Sequence, residues 1–257
     1  MRTKFILSII IVATLFVSCK KNSSSGGGLT YLITQDSASD GVNINNNVVR
    51  HFAYNANKKL VKVSYEYGTS GNFNQYDTLY YNPNGTVEKV ESYDGGLWRT
   101  NTYTYTSGLL TSVNEVGTND SGAYTRNRAY TYNGNKLATQ SLIYSVGVAE
   151  ANGGPENIDS IVYSGNNFHT AYLIDMSTAV TLTFDQTAAN PYYGLNFDSD
   201  DFLDMFNPNN LTEAYATATP STIFANNTYT YSSGRVATIT DITRTPNVVT
   251  TVVYTGL

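Results

Sequence analysis

The sequence predicts an all-β protein, a curled antiparallel meander of repeated β-hairpins that forms a roll, barrel or half-barrel and carries one short helical insertion. Three observations support this reading. The 257 residues include 22 Tyr and 20 Gly against three Met, one Trp and one Cys, and only 14% are charged. That composition suits many short strands joined by tight turns. A hairpin unit recurs, plainest at residues 228–240, TYTYSSGRVATIT, where two tyrosines two apart precede a Ser-Gly turn and a second apolar run. The units are also numerous. Six of them with an opening and a closing strand make about a dozen strands, more than an open twisted sheet holds without curling, and closure removes the exposed edges.

The chain begins with a targeting segment. Arg2 and Lys4 precede an almost wholly apolar run over residues 5–17, and Ser18-Cys19 follows at once. The run is too short for a membrane span and has the layout of a signal peptide. The residues Phe16-Val17-Ser18-Cys19 resemble the lipobox of a bacterial lipoprotein, with Phe16 where Leu is usual. The resemblance implies cleavage before Cys19 and acylation of Cys19. A lone cysteine in an exported chain has no disulfide partner, which agrees with a lipid anchor. The domain plan is thus a signal peptide over 1–18, a lipidated Cys19 with a flexible tether over 19–28, and a single all-β repeat domain over 29–257. Residues 20–28, KKNSSSGGG, hold no apolar side chain and suit a tether. Lys20-Lys21 does not match the acidic surface-export signal of Bacteroidetes lipoproteins, so both the cell surface and the periplasmic face of the outer membrane stay open. The formal charge of −5 becomes −7 once Arg2 and Lys4 are removed, leaving 13 basic against 20 acidic residues. Such a surface repels nucleic acid, which is not an expected partner.

Residues 29–33 read as an opening strand and 35–47 as a polar loop. The repeats follow. Their second tyrosines fall at Tyr54, Tyr81, Tyr105, Tyr132, Tyr163 and Tyr231, with spacings of 27, 24, 27, 31 and 68. An aliphatic or aromatic residue comes five or six positions after each: Leu60, Val87, Leu110, Leu137, Phe168 and Val236. Asn84-Gly85, Asn133-Gly134, Ser107-Gly108 and Ser233-Gly234 provide the positive φ that tight hairpins need. After the turn, apolar residues recur three apart, as in Leu60/Val63, Val87/Val90, Leu110/Val113 and Val236/Ile239. Strict alternation would put such a pair on opposite faces. Either the first member belongs to the turn and folds over the sheet, or a bulge follows it. The turn is the preferred reading.

The long gap before Tyr231 contains a strand at 181–184 and then an insertion near 190–214. Within it Asp198 or Ser199 can cap a helix, and Phe202, Leu203 and Phe206 share one helical side before Asn207-Pro208 stops it. The expected helix is a plug or lid on one end of the sheet and the first candidate for marking a ligand opening. A calcium site of Asp198, Asp200, Asp201 and Asp204 is the rival reading; it lacks the glycine and distant glutamate of a calcium loop. A closing strand is expected over 248–254.

Copies such as YYNPNGTVEKV and YTYTSGLLTSV resemble the tyrosine-aspartate repeats of Rhs-type secreted proteins. They are closer to an uncharacterised family of Bacteroidetes lipoproteins, a domain of unknown function with a porin-like β fold. Residues 190–214 and the terminal YTYSSGRVATIT hairpin look similar to that family too. It implies the fold and brings no catalytic residue.

Candidate chemistry is sparse. There is no glycine-flanked serine elbow, and His51 and His169 lie in repeat strands or turns without a paired histidine or cysteine nearby. Neither a metal nor a cofactor is expected, and no enzyme activity. The enriched material is aromatic. Outward-facing Tyr103/Tyr105 and Tyr130/Tyr132 would form platforms for sugar rings; inward-facing, they are core, and the regular periodicity favours the core. Trp98, in the loop 94–99, is the better candidate for sugar stacking. Asp36-Ser37-Ala38, Asp77-Thr78-Leu79 and Asp159-Ser160-Ile161 look like O-glycosylation sequons of exported Bacteroidetes proteins. The expectation is a non-catalytic, lipid-anchored envelope protein with a binding or scaffolding role, its partner the membrane through the lipid, with glycan or envelope proteins as further candidates. A glycan-binding accessory lipoprotein and a periplasmic carrier of an apolar ligand are the alternatives.

Overall fold

The computed structural model describes residues 31–43, 47–68, 74–119, 122–145, 158–173, 178–195 and 206–256. The signal segment, Cys19 and the tether lie outside the described residues, as do the expected helix and the rival aspartate cluster at 196–205.

Sixteen strands run in chain order: β1 (Tyr31–Ser39), β2 (Val48–Tyr54), β3 (Leu60–Tyr67), β4 (Gln75–Tyr81), β5 (Val87–Asp94), β6 (Leu97–Thr106), β7 (Leu109–Asn119), β8 (Gly122–Asn133), β9 (Lys136–Ser145), β10 (Ile158–Ser164), β11 (Asn167–Leu173), β12 (Thr178–Ala189), β13 (Asn209–Ala216), β14 (Ile223–Ser232), β15 (Arg235–Asp241) and β16 (Val248–Gly256). Each pairs antiparallel with its neighbours in sequence, and β1 pairs with β16 to close a barrel. The all-β meander holds, in its barrel form. The six hairpins supply twelve strands; β1, β12, β13 and β16 complete the circle.

The turns of the six repeats lie at one end of the barrel, the turn end. At Ser107-Gly108 both central residues have positive φ, 52° and 82°, the geometry whose twist matches that of the flanking strands. The spacing of three after each turn comes from a bulge, not from a residue folded over in the turn. The register shifts at Tyr54, Tyr81, Tyr105, Tyr132, Tyr163 and Tyr231, leaving Val61, Glu88, Thr111, Ala138, His169 and Ala237 without a cross-strand partner. One extra residue restores the parity, so Leu60 and Val63, Val87 and Val90, and Leu110 and Val113 are all buried on the inner face.

Inner and outer faces differ sharply. Inside, at the turn end, lies one apolar cluster in which Val63, Val90, Val113 and Val236 are fully enclosed. Outside, threonines form cross-strand pairs, Thr131 with Thr139 at 2.6 Å, Thr230 with Thr238 at 2.7 Å and Thr183 with Thr212 at 2.9 Å. The repeats are stitched to one another from within. The hydroxyls of Tyr81, Tyr132 and Tyr163 donate to the carbonyls of Leu60, Leu110 and Leu137 in the preceding hairpin, at 2.6, 2.8 and 3.1 Å. Tyr105 likewise bonds the backbone of Val87.

Three boundaries differ from expectation. Gln35 to Ser39 continue β1, because they pair with both β2 and β16; the polar loop is confined to the residues that follow. The inserted segment ends sooner than expected, since Asn209 to Ala214 pair with β12 as part of β13. Trp98 is the second residue of β6, and only Gly95 and Gly96 separate β5 from β6.

Candidate functional site

Alternation along each strand carries the inner face from the apolar turn end toward the opposite, loop end, and there its chemistry changes. Asp36, Arg50, Tyr65, Asp77, Ser92, Arg99, Asn101, Glu115, Tyr124, Arg126, Arg128 and Gln140 form a polar belt across β1 to β9. Four of its members are arginines and three are carboxylates, inside a chain of net charge −5.

At one end of the belt the Arg50 guanidinium grips Asp36 with two bonds, Nε to Oδ1 at 2.9 Å and Nη2 to Oδ2 at 2.6 Å. Burial opposes the Arg50 charge, but the bonds to Asp36 outweigh it and hold the pKa above its ordinary value. Next to it, Tyr65 donates to Asp77 Oδ2 at 2.5 Å. At the other end Glu115, wholly buried, accepts from the Tyr124 hydroxyl at 2.6 Å and pairs with Arg126 at 2.9 Å. Gly117, directly opposite Tyr124, makes this possible, because a Cβ there would stand 2.6 Å from the tyrosine ring. Burial first, and the bond to Glu115 second, push the Tyr124 pKa up. Between the two ends sits Asn101, 0% exposed, with neither amide atom hydrogen-bonded.

The inserted segment closes the turn end. Tyr192 reaches inward to donate to Asp36 at 2.7 Å, and the ring of Phe206 packs 5.7 Å from Tyr130 and 6.5 Å from Phe168. Asn207 secures it, accepting the Phe168 amide at 2.7 Å. The described part of the insertion is thus a plug: Phe206 packs into the core, and Tyr192 reaches through to the Asp36 and Arg50 end of the belt.

Tyr103 and Tyr130 are buried at 5% and 4%, and Tyr105 and Tyr132 pack against the core, so the four face inward and form no outer platform. Among the outward aromatics are Tyr76, Tyr80, Tyr93, Tyr172 and Phe224, while Trp98, the bulged residue at the start of β6, meets the belt's Arg99. Tyr76 and Tyr93 stack at 4.7 Å, Lys62 covers the Tyr76 ring at 4.0 Å, and Arg99 lies over Trp98 at 4.7 Å. Those contacts occupy ring faces that a sugar would need. The outward set was legible in the Tyr76-Asp77 and Tyr93-Asp94 dipeptides, which stand off the repeat register and therefore on the opposite face. His51 and His169 sit on β2 and β11, which are not neighbours. Among the described residues no three His, Cys, Asp or Glu side chains cluster as a metal site. In two of the sequon-like triplets, Asp36 and Asp77 turn inward to belt partners.

No protein-family profile matches the chain, and no curated protein does. Among solved structures it is similar to a porin-like protein from Bacteroides uniformis, at 13% identity and a TM-score of 0.56, over 89% of this chain and 99% of that one. The likeness shows a shared fold.

Proposed function

We propose that this chain is a non-catalytic, lipid-anchored envelope protein that uses its barrel as a rigid scaffold for binding at the polar loop end. The observation that carries the reading is the division of the interior. One half is filled by the chain's own apolar side chains and plugged by Tyr192 and Phe206, and the other is lined by a charged belt. A filled apolar half has no place for an apolar cargo, which tells against the carrier. Lipid-facing barrels carry an outward apolar band roughly 25 Å tall. Here the outer face carries threonine pairs and ion-paired side chains such as Lys89 and Glu91, so attachment through Cys19 is the better account of membrane association.

The strand direction adds an orientation. β1 enters at the turn end, because it pairs antiparallel with β2, which runs toward that end. Cys19 is 12 residues before Tyr31, a reach of at most roughly 40 Å. A lipid there would tether the chain from its plugged end, with the belt at the opposite end of the barrel. Labelling cells with a palmitate analogue tests the anchor: label on the wild type and none on Cys19→Ser is expected, and label on both rejects it. Protease added to intact cells then separates the two faces of the outer membrane, since only a surface-displayed domain is digested.

A further inference from the structure

We infer that the buried pair Asn101 and Glu115 receives a neutral, hydroxyl-rich ligand, a saccharide. The inference rests on the binding role proposed above and names its ligand class. Asn101 on β6 and Glu115 on β7 are direct register partners, and both are 0% exposed. Their hydrogen bonding is incomplete in a specific way. Glu115 Oε1 accepts from Tyr124, but Oε2 accepts no hydrogen bond, with Arg128 Nη1 3.7 Å away. The Asn101 carbonyl oxygen and amide nitrogen have no partner either. Buried polar groups are as a rule satisfied, and three open positions on two facing side chains are a place that a ligand completes.

The open positions also select the ligand. Two are acceptors and one is a donor. An anion offers acceptors only and would face Glu115 Oε2 and the Asn101 oxygen; a cation would face Arg126 and Arg128. A hydroxyl both donates and accepts, so neighbouring hydroxyls of a sugar fit an amide and a carboxylate together. The Tyr124 ring, whose hydroxyl tip lies over Gly117, provides an apolar surface beside them. Arg126, 17% exposed and paired with Glu115 at 2.9 Å, is the more exposed member of the pair, and entry of the ligand requires it to swing away.

The test is calorimetric titration of the full mature chain, acylated and held in detergent, with glucose, galactose, mannose and N-acetylglucosamine. Glucuronate and inorganic phosphate serve as anionic comparisons. Saturable binding of a neutral sugar is expected. Asn101→Leu should weaken it about tenfold or more while Tm stays level or rises, because leucine removes unsatisfied groups at similar volume. Should Asn101→Leu fail to fold, Asn101→Ser carries the same comparison. Equal binding by the variant, binding of the anions alone, or no sugar binding in the millimolar range overturns the inference. Absence of sugar binding by the wild type with palmitate on Cys19 rejects the ligand class and leaves the anchored scaffold standing.

Discussion

At the scale of single residues, the repeat tyrosines do two jobs at once, filling the inner face with their rings and, at Tyr81, Tyr105, Tyr132 and Tyr163, tying a hairpin to the one before it with their hydroxyls. The tie needs a preceding hairpin. Tyr54, in the first repeat, has none, and its hydroxyl is buried without a partner. This gives an internal control. Tyr132→Phe leaves the Leu110 carbonyl without its donor and should cost about 1 kcal/mol, whereas Tyr54→Phe removes an unsatisfied group and should be neutral or stabilising; thermal unfolding of the two variants checks both. The same burial makes the fold sensitive to alkali. Burial raises the pKa of Tyr81 and Tyr163 from 10.0 to about 12. A group whose folded pKa is raised contributes stability that is complete below its unfolded pKa and is lost as pH rises through the folded value. The expected outcome is a Tm that holds up to about pH 10 and falls between about pH 10 and 12, with tyrosinate absorbance rising in the same interval. Tyrosinate that appears with unperturbed titration while Tm stays constant would show the rings to be exposed.

At the scale of elements, the bulge is the device that makes the repeat work. Without the unpaired Thr111, Leu110 and Val113 could not both point inward, and β7 would turn Val113 and Glu115 outward together. Deleting Thr111 is therefore expected to abolish cooperative unfolding, because each fully buried aliphatic contributes about 1.5–3 kcal/mol against a typical net stability of about 5–15 kcal/mol. Circular dichroism and a thermal melt check it, and a sharp transition near the wild-type Tm would refute the role given to the bulge. The hairpins were legible because period-two tyrosines and Ser-Gly or Asn-Gly turns are local signals. The bulge was visible only as its consequence, a spacing of three, since an unpaired residue carries no composition of its own. β13 escaped notice because NNLTEAYA has few β-branched residues and is a strand chiefly through its pairing with β12. The belt was hidden for a related reason. Its members come from nine strands spread over more than a hundred residues; pairing of adjacent strands sets Asp36 beside Arg50 and Asn101 beside Glu115, and only the curling of the whole sheet gathers these pairs into one belt.

At the scale of the whole molecule, a sixteen-strand barrel invites comparison with a pore, and the distribution of side chains argues the other way. A porin presents apolar residues to lipid and keeps water inside. In this chain the outward aliphatics Leu97 at 55%, Val116 at 50%, Val162 at 56%, Ile223 at 44% and Val253 at 44% exposed are scattered over β6, β7, β10, β14 and β16, of which only β6 and β7 pair. Between them lie threonines, Lys62, Lys89 and Glu91, while the interior is occupied by packed valine, leucine and tyrosine. Placing that outer face in hydrocarbon would bury charges at a cost of about 2–4 kcal/mol for each Lys near the midplane, with no apolar band to offset it. The chain should therefore need detergent only for the lipid proposed at Cys19. A Cys19→Ser protein spanning residues 19–257 is expected to stay monomeric in detergent-free buffer and to produce no conductance when added to a planar bilayer. Aggregation relieved by detergent, together with stepwise conductance, would mean that the outer face meets lipid and that the barrel opens as a channel.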